Sequence, residues 1–550
     1  MRIHKPALLL LCALMAGGAN DYGLDDAHGV SRFEPTGSFG AYLTGRFAVQ
    51  QTDMDTAADK LEAASVRDAT VREVATQAFL AATLAGRPTA ALLAASVPDH
   101  PVAQLVLADR EARSGSWDRA EMAYANLPQQ GITQVLKPLL VAWSQAGAGR
   151  TDAALATIQP VMDGGRFRGV ATLHAALISD LAGRGTAGGL YEQAVREYGG
   201  TNLRLGMMVA SWQARNGRAA EAQQTIRDMA GANGDVALAR PALEAAVAAP
   251  AVRNAQDGIA EAYLAMAATL RQQNNNDTAH LVLRLALAMR PDFTAARLLL
   301  ADVQEAGKHR ASAIDTLEDV PDTDPLHAVA ELRRAVLLDG DGDTDDAVAL
   351  LNTLAEQYPD RPEPLAQLGD VLRRKNRYPE AIAALDGALA RVAVPSRANW
   401  GLFFERGVAH ERAGNWARAE ADFLYALELF PDQPSVLNYL GYTWTEQNRN
   451  LDRARAMIER AVAQRLNDGA FLDSLGWVML RQGDKEGALQ NLERAAQLQP
   501  EDAVINGHYG DALEAVGRVR EAEFQWRRAL TLNPEPADQK RIEEKLRSLP

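Results

Sequence analysis

At 550 residues the chain exceeds what one compact core organises, so it must be several domains or a repeat array. Apolar residues make up 47% and aromatics only 6%, with alanine dominant, which favours closely packed helices over strands of β-branched and aromatic residues. The formal charge of −14, with basic residues scattered along the chain, excludes the phosphate-neutralising clusters that nucleic acid requires.

The opening stretch, MRIHKPALLLLCALMAGGAN, carries positive charge at Arg2 and Lys5, an apolar run from Pro6 to Met15, and small residues at Gly17 and Ala19. This is the layout of a secretory signal peptide over residues 1–19, cleaved after Ala19, and the run is too short to span a membrane. Export to the periplasm is the expectation. Cys12, the chain's only cysteine, lies inside this run. Membrane association is expected only through a lipidated Cys12 or a membrane-bound partner, and Leu11 stands where a lipoprotein motif has a small residue. The processed chain then has no cysteine and cannot rely on disulfides. Residues 20–37 read as a flexible lead.

From residue 38 the chain repeats. Gly45 and Phe79 open the series, 34 apart; after a step of 29, Ala108, Ala142, Ala176 and Ala210 follow in steps of 34. A second series runs Ala267, Ala301, Ala335, Gly369, Gly407, Gly441, Gly476 and Gly510, in steps of 34 except one of 38 and one of 35. Twelve or thirteen residues beyond each anchor stands another small residue, including Ala57, Ala91, Gly188, Ala381, Ala454, Ala488 and Ala522. Two antiparallel helices approach closely only where both present small residues at the crossing. Leu385, Phe423, Leu492 and Trp526 then fill the flanks, and prolines such as Pro291, Pro359, Pro431 and Pro534 stop the second helix. Each unit is a helical hairpin with an unpaired apolar side and must stack on its neighbours.

This pattern resembles the tetratricopeptide repeat, most completely in AVINGHYGDALEAVGRVREAEFQWRRALTLNPEP, where Gly510, Leu513, Ala522, Trp526, Ala529 and Pro534 fall on signature positions. The resemblance implies an all-α solenoid of helical hairpins forming a right-handed superhelix. Two subarrays are expected, residues 38–236 and 260–536, separated by a joint over 237–259 that holds Pro241 and Pro250, with a capping helix over 537–550.

Chemistry is hard to find. The Gly183–Gly188 stretch GRGTAG follows a helical pattern instead of a strand and sits at a hairpin turn. DGDGDTDDAVAL from Asp339 has Thr344 where a calcium loop needs glycine, and reads as a turn that caps the next helix. HERAG at His410 ends in Gly414 instead of a second histidine. No catalytic residue, metal or cofactor is expected.

The residue after each anchor is turned about 100° from the hairpin contact, toward the inner surface, and is joined there by residues three before and four after the anchor. This strip nominates Arg373, Phe404, Asn438, Tyr442, Asp473, Trp477 and Asp511 as a groove for proteins or peptides. Tyr442 and Trp477 have an equally physical alternative, packing between adjacent first helices. The phrases LNYLGYTW and LDSLGWVMLRQGDKEGAL, with the leader, look like exported tetratricopeptide proteins of proteobacterial envelopes. One relative in that group is a lipoprotein adaptor that presents substrates to a carboxyl-terminal processing protease. That likeness implies an adaptor role. The competing expectation is a docking component of a secretion or polysaccharide-export complex.

Overall fold

The computed structural model describes residues 37–68, 71–232 and 234–549; the leader, Cys12 and the lead up to residue 36 lie outside them. Among the described residues there are thirty helices and no strand. The chain divides into two compact units, Met1–Val97 and Pro98–Pro550.

In the first unit, Ser38–Gln50 and Met54–Arg67 form a hairpin, followed by Arg72–Leu84 and the short Ala90–Ala94. A Cβ on Gly45 would lie 2.6 Å from Leu61, so the small anchor does set the crossing. The next hairpin departs from the expected register. Phe79 is fully buried at the anchor position, the second helix has only five residues, and Ala90 and Ala94 are buried where Ala91 was expected. A ring at the crossing leaves no room for the close approach that a small anchor allows.

The second unit repeats the hairpin through His327–Asp341 with Thr344–Gln357, Glu363–Arg374 with Tyr378–Ala390, and Trp400–Arg412 with Trp416–Leu429. It continues through Pro434–Glu446 with Leu451–Gln464, Gly469–Arg481 with Lys485–Leu498, and Ala503–Ala515 with Val519–Thr531. The anchors act as the spacing requires. A Cβ on Gly369, Gly407, Gly476 or Gly510 would come within 2.7 Å of Leu385, Phe423, Leu492 or Trp526 respectively. Those four side chains are fully buried. Each removes on the order of 2–3 kcal/mol of apolar surface from water, which is where the hairpins draw their stability. Pro536–Arg547 follows the last hairpin and seats Ile542 in a core with Leu513 and Trp526.

Residues 237–259, expected as a joint, take in most of the helix Gly234–Ala246, a non-helical stretch over 247–254 and the start of the helix Ala255–Gln272. Gly234–Ala246 packs on the first helices His327–Asp341 and Glu363–Arg374. Its Leu238 joins Leu332 and Leu368, and its Val236 and Leu243 join Leu298 and Val329. Ala255–Gln272, which opens the next hairpin, packs instead on the earlier first helices Thr133–Gly147 and Arg168–Leu181. There Gly258 lies so close to Trp143 that a Cβ would sit 2.3 Å from the indole. Each array thus lays one helix into the inner face of the other, forming a reciprocal clasp.

Candidate functional site

The inner strip of the second unit is a ladder of polar contacts, each rung joining one first helix to the next. Arg333 meets Asp302 at 3.2 Å, Arg374 and Lys375 meet Asp339 at 3.1 and 3.2 Å, and Arg373 meets Glu405 at 2.6 Å. The Tyr439 hydroxyl donates to Glu411 at 3.1 Å, and the Trp477 indole N–H donates to Glu446. His508 pairs with Asp473 at 3.0 Å, and Arg541 of the terminal helix pairs with Asp511. Of these positions the sequence nominates Arg373, Asp473, Trp477 and Asp511; their partners Glu405, His508, Glu446 and Arg541 lie off the nominated strip.

The seven nominated residues fall into two groups. Asp473, Trp477 and Asp511 are buried, at 5%, 8% and 6% exposure. Trp477 stacks flat on His508, with ring centroids 4.0 Å apart and planes 11° from parallel. Asp511 accepts from the Trp526 indole at 3.0 Å and from Arg541, and Lys545 lies 3.6 Å away. Arg373, Phe404, Asn438 and Tyr442 are half-buried. Arg373 is held by Asp370 and Glu405, and Phe404 lies against Trp400, Phe423 and Tyr439 at 5.6–6.0 Å between centroids. Tyr442 shares a helix face with Asn438, four residues away, and its ring lies 6.4 Å from His508. Burial and the nearby Glu446 and Asp473 push its phenol pKa upward. Asn438 stands apart: its side-chain carbonyl oxygen is shielded from solvent and has no hydrogen-bond partner.

His508 is missing from the nominated strip, yet it organises the buried group. Burial works against its positive charge, but Asp473 and Asp511 together outweigh that and hold the imidazole pKa above its ordinary value of 6.5. A group whose pKa is raised on folding contributes stability fully below its unfolded value and loses it as pH rises through the folded value. Thermal midpoints of the protein should therefore fall between about pH 6.5 and the alkaline side of that value. The profile of His508→Gln should be flat across the same range, and an equal slope in both proteins would remove His508 as the cause.

The motifs set aside in the sequence take structural places. Gly183 adopts a positive φ of 66° at the turn between Arg168–Leu181 and Ala187–Tyr198. The acidic run after Asp339 was expected to cap the next helix, but the N-cap residue Asp343 makes no side-chain cap bond. Asp339 is instead buried, accepting from Thr344 and pairing with Arg374 and Lys375. His410 is buried within Trp400–Arg412. Among the described residues, no cluster of three or more side chains could hold a metal ion, and no helix is long and apolar enough to cross a membrane.

Models of the tetratricopeptide repeat match residues 332–398, 366–434, 404–470 and 446–503, and another such model matches 270–336. A TPR repeat-containing protein of Pseudomonas aeruginosa (strain PAO1) is 30% identical over 219 residues, which is 40% of this chain. The match spans 36% of that relative's length. Among solved structures, the Cut9–Hcn1 assembly of the APC/C is 14% identical, covering 94% of this chain and 97% of the other at a TM-score of 0.39. Yeast Tom70 is 13% identical, covering 82% and 96% at 0.35. YrrB, described as a TPR protein with an unusual peptide-binding site, is 20% identical, covering 34% and 91% at 0.28.

Proposed function

We propose, from the premise that this chain is a tetratricopeptide-repeat solenoid built for protein–protein interaction, that it is an exported, non-catalytic adaptor whose partner docks on Arg373, Phe404, Asn438 and Tyr442. The observation that carries the docking site is Asn438. Its orphaned carboxamide oxygen costs free energy in the unliganded protein, and a turn of the half-buried side chain would present its carbonyl acceptor and NH2 donors to a peptide unit. The half-buried rings of Phe404 and Tyr442 supply apolar walls on the neighbouring helix and the same helix. Elsewhere the strip is taken up by the chain itself, through Gly234–Ala246 on one side and Arg541 of Pro536–Arg547 on the other. Export rests on the leader's layout, and the adaptor role on the likeness of the LNYLGYTW and LDSLGWVML phrases to envelope proteins.

Affinity purification from periplasmic extract tests the reading. The recovered chain should begin at Asn20 and bring down a protease with cell-wall hydrolases; synthase or porin subunits would instead favour a secretion or polysaccharide-export complex. Asn438→Leu and Tyr442→Ala should each weaken the purified partner's binding by about tenfold or more, with thermal midpoints little changed. Unchanged affinity in both variants would move the docking site elsewhere.

A further inference from the structure

The clasp has a titratable group at its centre that the docking reading does not use. Asp109, in the helix Pro101–Arg113, is buried at 3% exposure. One carboxylate oxygen accepts from the Tyr124 hydroxyl at 2.6 Å and from the Tyr263 hydroxyl at 2.7 Å. Tyr263 belongs to the inserted helix Ala255–Gln272, so this oxygen ties the two arrays together. The other carboxylate oxygen is buried without a partner.

We propose that the clasp is a proton-responsive joint, closed more tightly in mildly acid surroundings than at neutral pH.

The physical basis is the mismatch between a charge and its surroundings. Two hydroxyl donors serve one oxygen, and the second oxygen bears its share of the charge in an apolar interior. A proton on Asp109 removes that cost and leaves a neutral acid that still accepts from the tyrosines. Burial accordingly raises the carboxyl to about 6 from 3.8, against the opposing pull of Tyr124, Tyr263 and Arg113. Burial raises both tyrosine hydroxyls well above their usual value, and it lowers His174, which accepts from the Trp143 indole at 2.9 Å, to about 3. Asp257 and Glu261 on the inserted helix are held by Arg253, Arg290 and Arg204. The sign follows from the raised value. Closure is favoured in full below about 3.8, is lost as pH rises through about 6, and is level above that.

Hydrogen exchange of residues 255–272 in the full chain, corrected for the intrinsic pH dependence of exchange, reads the joint directly. Protection should fall by up to about a hundredfold between pH 4 and pH 7 in the wild type, the ceiling set by the shift from 3.8 to about 6. It should be level in Asp109→Asn. Tyr263→Phe removes a donor that favours the ionised form, so its fall should be larger than the wild type's. A level wild-type profile, or an equal slope in Asp109→Asn, would overturn the proposal. If Asp109→Asn does not fold, a fall in Tyr263→Phe no larger than the wild type's overturns it equally.

Discussion

Trp477→Ala is expected to cost about 3–5 kcal/mol of stability, read as a lowered urea midpoint. The indole is buried against His508, with its N–H on Glu446. Truncation therefore opens a cavity, takes a donor from the exposed Glu446 carboxylate and removes the flat partner of the His508–Asp473 pair. Tyr442→Ala should cost much less, because its ring is only half-buried. The contrast separates the two readings that the sequence left open for these rings. A Trp477→Ala protein that melts like the wild type and loses only partner affinity would make the indole a groove anchor.

Gly258→Val should be the most disruptive single change at the clasp, at about 3 kcal/mol. The new side chain would begin 2.3 Å from the Trp143 ring. Trp143 is fully buried and bonded to His174, so it cannot swing aside. The helix Ala255–Gln272 must lift, and the Tyr263–Asp109 bond breaks with it. Far-ultraviolet circular dichroism should hardly change, since both helices persist, while exchange protection of residues 255–272 collapses. Gly189→Ala is the matched control. It is an exposed helical position with nothing within 4 Å of a new Cβ, where alanine should stabilise by about 0.5–1 kcal/mol.

The hairpins were legible because the close crossing demands small residues at fixed positions, and Gly369, Gly407, Gly476 and Gly510 each meet the side chain sixteen residues later. The pairings along the inner strip were not. The spacing rule treats one helix at a time, whereas His508 meets Asp473 across 35 residues, Trp477 meets Glu446 across 31, and Arg541 meets Asp511 across 30. An acid on one first helix followed about one repeat later by a base or an indole was the available signal. The slip at Ala90 had its own warning in Phe79, the one large residue in the anchor series. The clasp left no periodic trace at all. Its contacts depend on two helices leaving the stack, and only the extra length between Ala210 and Ala267 marked the place.

That clasp also sets an order of events in folding. The hairpins close over short loops and can form as each leaves the ribosome. Tyr263, however, must find Asp109 across 154 residues of chain. Until it does, the first half stands with Trp143 uncovered, awaiting a helix not yet delivered. Maturation of this protein therefore contains late, non-local steps at the two halves of the clasp, in a topology of otherwise mostly nearest-neighbour contacts. Folding chaperones have most to gain by shielding that interval.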